Sequence, residues 1–191
     1  MILHMKKILT AFLLPVLAGC LTTTPPSVSY WPLEYTGTAK PAAAAKYGVA
    51  RVSQVLVRTP YNSEGITVLR ANGSLAFDPY NAFAALPSSL LKGVLVEGLE
   101  VSGLFGSVVN ASSSVDSSVN VEMFVTRLAL DCRTAGSRQA VAELLVRVIG
   151  EDGTMKIAKG AGKADAADGS YGVAFSKAVT AALDAALDEL R

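Results

Sequence analysis

Apolar residues alternate with polar ones along several segments of the chain, as they do in strands with one buried face. The clearest case is 119–130, where every second residue from Val119 to Val125 is apolar before the phase changes near Arg127. That change predicts a β-bulge. Weaker patterns of the same kind predict further strands at 30–35, 47–59, 65–80, 104–109 and 140–160.

Turn residues divide two of these segments into hairpins. Asn72-Gly73 separates two β-rich runs and predicts a two-residue type I′ turn, which needs positive φ at both residues. Glu151-Asp152-Gly153 predicts a second hairpin. Asp78-Pro79 is expected to close the strand that follows the first hairpin, because proline cannot donate to a ladder.

Two segments instead show the spacing of amphipathic helices. The first begins at Pro87, which suits position N1, and ends at Gly103; the second runs from Ser170, a plausible cap, to the C-terminus. Their apolar stripes are interpreted as core. The first comprises Leu90, Leu91, Val94, Leu95 and Leu99, and the second Phe175, Val179, Ala182, Leu183, Ala186, Leu187 and Leu190. The pattern predicts an α+β fold, with an antiparallel or mixed β-sheet and two main amphipathic helices packed on one face.

The N-terminus has the layout of an export signal, with Lys6 and Lys7 before an apolar run and small residues at 18–19. The following "LAGC" resembles the lipobox of bacterial lipoproteins, in which the cysteine is acylated after cleavage. We therefore expect 1–19 to be a signal peptide, Cys20 to be lipidated, 20–29 to be a tether and 30–191 to form one periplasmic domain. Leu21 stands where an aspartate commonly retains such lipoproteins at the inner membrane, so the resemblance implies the periplasmic face of the outer membrane.

Composition argues against an enzyme. The only histidine, His4, lies in the predicted signal, so the mature chain lacks the residue for a Ser-His-Asp or Cys-His site. Turn and capping roles account for the paired acids at 151–152 and at 165 and 168. Without the signal, 15 basic and 16 acidic side chains remain, which gives no electrostatic footprint for nucleic acid. Cys132 is interpreted as a small apolar residue at a strand end, and no metal or cofactor is predicted.

Residues 57–105 resemble the ABC-type transport auxiliary lipoprotein family, which includes the lipoprotein of the paraquat-inducible system. The resemblance rests on the strand "ITVLR" (66–70), the helix opening "PSSLL" (87–91) and the ending "SGLF" (102–105). The early "YWPL" is similar to the aromatic first strand of the family. Many members carry tryptophan near the position of Phe83.

The family resemblance implies a non-catalytic accessory role in intermembrane lipid transport. The implied partners are a mammalian-cell-entry (MCE) domain protein and an ABC permease complex, with the membrane held through acyl chains on Cys20. A homo-oligomer is left open. Two alternatives remain: an envelope-structural or assembly lipoprotein that binds peptidoglycan or an outer-membrane protein, and a stand-alone lipid or solute carrier.

Three aromatic residues, Phe77, Tyr80 and Phe83, lie between the first hairpin and the first helix. Aromatic side chains near loops are favoured anchors for protein contacts, because they bury much area with few rotatable bonds. They are equally suited to seal one end of the core. The sequence leaves both roles open, and the partner in the first would be the MCE protein or a second copy of the chain.

Overall fold

The computed structural model describes residues 27–38, 44–166 and 170–191. The described chain contains eight strands and two helices: β1 (Ser29–Trp31), β2 (Tyr47–Val57), β3 (Gly65–Arg70), β4 (Leu75–Phe83), α1 (Pro87–Ser102), β5 (Phe105–Asn110), β6 (Val119–Cys132), β7 (Gln139–Gly150), β8 (Met155–Asp165) and α2 (Tyr171–Glu189). The predicted signal peptide and Cys20 lie outside the described residues.

The sheet is organised around β6, the longest strand. One edge of β6 pairs along its length with antiparallel β7, which in turn pairs with antiparallel β8. The other edge is shared by two parallel strands, with β2 beside 119–125 and β3 beside 130–132. From there β5 extends the sheet next to β2, while β4 and then β1 extend it next to β3.

Both helices pack on one face of this mixed sheet, which confirms the predicted α+β class. The apolar stripe of α2 is fully buried, and α1 buries Leu91, Val94, Leu95 and Leu99. These side chains join the inward residues of β6 and β7 in one core. The phase change near Arg127 is also confirmed, since the β6–β7 register shifts between Val125 and Arg127.

The backbone of α2 lies directly on β8. A Cβ atom at Gly160 would lie 1.7 Å from the carbonyl oxygen of Ala182, and one at Gly162 would lie 2.0 Å from that of Ala178. No real Cβ contact is this short, so only glycine permits the approach. These two glycines therefore determine how closely the helix approaches the sheet.

Residues 33–36, which we call the strap, cross α2 after leaving β1. Leu33 is buried in the core, and the next three residues bind polar side chains of α2 at every fourth position. The bonds run from Glu34 N–H to Ser176 Oγ (3.1 Å), from Thr36 N–H to Thr180 Oγ1 (2.9 Å) and from Tyr35 OH to Asp184 Oδ1 (2.6 Å). Burial and the bond to Asp184 raise the pKa of Tyr35 above its usual range, so the phenol remains a donor.

The first hairpin forms where predicted, but its turn type is different. Gly73 N–H donates to the Arg70 carbonyl (2.9 Å) and Arg70 N–H donates to the Ser74 carbonyl (3.0 Å), which closes a three-residue loop. Gly73 alone has positive φ (80°), whereas Asn72 does not. The type I′ prediction is therefore wrong. The Asn72 side chain instead accepts hydrogen bonds from the Ser74 N–H and hydroxyl, which stabilises the loop without a left-handed asparagine.

The second predicted hairpin is confirmed and is built in the same way. Gly153 has φ 78°, its N–H donates to the Gly150 carbonyl (3.0 Å), and Asp152 accepts from the N–H and hydroxyl of Thr154. Both loops therefore share one sequence pattern: Asn or Asp, then Gly, then Ser or Thr.

The strand after the first hairpin does not close at Asp78-Pro79 as predicted. Thr67 pairs with Phe77, but Gly65 pairs with Ala82, so residues 78–81 bulge out of the ladder. Asp78 Oδ1 accepts from Tyr80 N–H (2.9 Å), which stabilises the bulge. The proline is accommodated there, and β4 resumes beyond it to pair with β1.

Alanine substitutions at two glycines test the loop geometry, because a Cβ at either Gly73 or Gly93 would meet no atom within 4 Å. We expect Gly73→Ala to lower the free energy of unfolding by about 1 kcal/mol, since alanine is strained at positive φ. Gly93→Ala, on the exposed side of α1, should raise it by about 0.5–1 kcal/mol. Urea denaturation measures both; effects of the same sign would contradict the assigned turn.

Candidate functional site

The predicted partner contact at Phe83 is contradicted by its burial. The side chain is 1% exposed, and its ring packs edge-to-face on Phe175 of α2, with centroids 5.1 Å apart. Phe83 pairs with Trp31 in β1, and both side chains pack toward the helices. Phe83 therefore seals the end of the core, as in the second of the two sequence-based interpretations.

Phe77 and Tyr80, by contrast, are 54% and 55% exposed. Phe77 lies over Gly65, with its Cδ1 atom 3.1 Å from where a Cβ of that glycine would be. In the register, Gly65 adjoins Ala82, which adjoins Tyr30 of β1. Because Trp31 packs toward the helices, Tyr30 is on the opposite side of the sheet, where it is 63% exposed.

These aromatics belong to a group of exposed apolar side chains along β1 and β4. We call this group the β1–β4 margin: Val28, Tyr30, Leu75, Phe77 and Tyr80. It lies on the last strands of this side of the sheet, next to the segment that leads back to Cys20. Sequence analysis identified two of its members, Phe77 and Tyr80.

A second apolar surface lies at the centre of the sheet, on the face away from the helices. Leu56 of β2 adjoins Phe124 of β6, which adjoins Leu145 of β7. In each strand the residues on either side of these three pack into the core, so the three side chains project outward. We call them the central strip. Leu56 is 47% exposed, and the other two are half-buried.

Ion pairs border the central strip on both sides. Glu122 and Arg147 lie two residues along their strands, with a separation of 3.7 Å between Oε2 and Nη1. Arg127 pairs with Glu143 on the other side at 2.8 Å. A shallow cavity of about 480 Å³ opens beside Leu145. An apolar centre with a charged border is the usual anatomy of a protein–protein interface.

Sequence analysis missed the central strip, although each of its strands carries a signal. Three consecutive apolar residues occur at 55–57, 123–125 and 144–146. Strict alternation places one face in water, so an apolar triplet indicates an apolar residue on the outer face as well. Periodicity does not show that the three triplets lie in register, because register depends on the pairing of distant strands.

A third surface, at the ends of β6 and β7, is a polar cleft of about 780 Å³ lined by Cys132 and residues 134–138. Burial raises the pKa of Cys132, which keeps the thiol protonated, as suits a small residue at a strand end. A hydrogen bond from Arg133 lowers the pKa of Asp131 to about 2. Within the described residues, His, Cys, Asp and Glu side chains form no group of three that could hold a metal ion.

None of the helices in the described parts of the chain is both long enough and apolar enough to cross a membrane.

Comparison with known proteins bears on the fold. No protein-family profile matches the sequence, and no curated protein matches it. The crystal structure of protein XCC0632 from Xanthomonas campestris, assigned to DUF330, is similar with a TM-score of 0.61 and 18% identity, covering 86% of this chain and 90% of that one. That of an uncharacterized protein has a TM-score of 0.53 and 16% identity, covering 81% and 94%.

A more distant similarity is to the PelC dodecamer from Paraburkholderia phytofirmans, with a TM-score of 0.44 and 11% identity, covering 77% of this chain and 89% of that one. The two structures with higher scores support the fold alone.

The difference in burial between Phe83 and Phe77 can be tested by measuring the stability of alanine variants. Phe83→Ala should lower the free energy of unfolding by about 3–5 kcal/mol, because it leaves a cavity beside Phe175. Phe77→Ala, at a half-exposed site on the same strand, should cost about 1 kcal/mol or less. Chemical denaturation of both variants gives the comparison. Equal losses would mean that Phe77 is as much a part of the core as Phe83.

Proposed function

We propose that this chain is a membrane-anchored periplasmic lipoprotein that acts as a non-catalytic accessory subunit of an MCE-type intermembrane lipid transport system. The observation that carries the proposal is the central strip with its charged border. It offers a protein partner an apolar centre on a rigid sheet, which is what an accessory subunit requires. The family resemblance of residues 57–105 supplies the identity of the partner.

The central strip is suited to binding because it is already rigid. Its three side chains project from β2, β6 and β7, whose inner faces are packed against the core. A partner that covers the strip therefore has little backbone to order on binding. The ion pairs at its border, Glu122–Arg147 and Arg127–Glu143, contribute little to stability at their exposure, but they supply charge for partner selection.

The interior of the domain favours this role over that of a lipid carrier. The space between the sheet and the helices is filled by side chains, and Leu91, Leu95, Phe175 and Leu183 are fully buried there. A carrier needs a cavity for its ligand, whereas an accessory subunit needs only a surface. The prediction that Phe77 and Tyr80 contact the partner stays a prediction, and we propose the central strip as the principal contact.

Acylation is tested at Cys20. Cys20→Ser should abolish lipid attachment and block cleavage of the signal peptide, because the lipoprotein pathway acts on the cysteine thiol. Mass spectrometry of the purified chain and fractionation of the cell envelope measure both. A Cys20→Ser chain that is processed and found in the outer membrane like the parent would contradict the anchor.

Partner binding is tested at Phe124. Phe124→Ser should abolish co-purification with the MCE-domain protein of the same organism, because it removes the middle residue of the central strip. Asn120→Ser is the matched control, since Asn120 is exposed on the same strand outside the strip. We expect it to bind like the parent, and both variants should keep the parent's melting temperature within a few degrees.

Three outcomes would differ from the expected result, and each has a different consequence. Co-purification that survives Phe124→Ser would exclude the central strip as the contact. Equal loss with Asn120→Ser would point to a general defect. A parent chain that never co-purifies with an MCE-domain protein would contradict the assigned system itself.

A further inference from the structure

The β1–β4 margin is an unusual place for exposed aromatic side chains. Tyr30, Phe77 and Tyr80 are each more than half exposed to solvent, and they lie on β1 and β4 at one edge of the sheet. Exposed single apolar residues are common, but Val28 and Leu75 extend these three into a group. No described segment of the chain covers these five side chains.

The position of the proposed anchor limits what the margin can meet. Val28 follows Cys20 by eight positions, and even a fully extended segment of that length spans at most about 29 Å. The margin therefore stays close to the membrane in which the acyl chains are held. The far edge, at β8, is five strand spacings from β1, about 24 Å further across the sheet.

The N-terminal end of the domain is held in place by its contacts with α2. The strap begins directly after β1, and its hydrogen bonds to Ser176, Thr180 and Asp184 join this end of the chain to α2. Residues 29–36 are thus part of the folded domain. The tether consequently joins the domain at the margin, at the β1 end of the sheet.

We propose that the β1–β4 margin rests on the lipid surface and sets the orientation of the domain on the membrane. Tyrosine suits the interface between acyl chains and headgroups because its ring is apolar and its hydroxyl stays hydrated. Phe77 and Leu75 add apolar area beside the rings. The acyl chains supply the affinity, and the margin supplies the orientation that keeps the central strip accessible to a protein partner. The inference rests on the proposed acylation of Cys20.

Tryptophan fluorescence on vesicles tests the orientation, because Trp31 is the only tryptophan in the chain. The mature acylated protein carries Trp31→Phe together with either Tyr80→Trp at the margin or Ile157→Trp on β8, where residue 157 is exposed at the far edge. Each protein is reconstituted into vesicles of phosphatidylethanolamine and phosphatidylglycerol, with or without brominated acyl chains. Mass spectrometry first verifies the acyl chains on Cys20.

We expect the indole at position 80 to shift its emission to shorter wavelength on vesicles and to lose intensity with brominated lipid. The indole at position 157 should show neither change. Adding Tyr30→Ser and Phe77→Ser to the Tyr80→Trp chain should restore the emission. If Trp31→Phe prevents folding, as judged by circular dichroism, the two tryptophan substitutions are made on the parent and its own signal is subtracted.

Equal quenching at positions 80 and 157, or none at either, in a protein with verified acyl chains would overturn the orientation while leaving the lipoprotein assignment intact. Absence of acyl chains on Cys20 would overturn both. An unquenched indole at position 80, together with loss of MCE co-purification in the Tyr30→Ser, Phe77→Ser chain, would identify the margin as a protein contact instead.

Discussion

The close approach of the α2 backbone to β8 is the constraint on which the rest of the structure depends. Gly160 and Gly162 leave no side chain between strand and helix, and any larger residue would push the helix away. With α2 in this position, its inner face completes the core and its polar positions at 176, 180 and 184 receive the strap. Just beyond α2, the carbonyl oxygens of Leu190 and Arg191 accept hydrogen bonds from Lys46 Nζ, just before β2.

The two faces of the sheet consequently have different roles. The inner face is closed by α1 and α2, and its chemistry is that of a packed core. The outer face has exposed apolar side chains at the central strip, at the β1–β4 margin and on β8, at Met155 and Ile157. The central strip is bordered by ion pairs in the middle of the sheet, and the margin lies beside the tether. The two proposals use this separation, with the margin assigned to the membrane and the central strip to the protein partner.

Most of the local structure could be predicted from the sequence, because helices and strands have their own periods. Pro87 and Gly103 mark the limits of α1, and the change of phase near Arg127 marks a real bulge. What could not be predicted depends on distant pairing. The exposure of Phe77 and the burial of Phe83 follow from the bulge at 78–81 and from the pairing of β4 with β1, and periodicity does not show which strands pair. The type of turn at Asn72 could not be predicted, because an Asn-Gly pair fits this three-residue loop as well as a type I′ turn.

The strap also affects the order in which parts of the domain can fold. Its partners on α2 follow it by 142–149 residues, so the two ends of the domain are joined late, by contacts of very long sequence separation. Long loops must close before such contacts form, which slows folding. The N-terminal segment is therefore held in place only after the last helix has formed, and loss of that helix would release residues 34–36 from the domain.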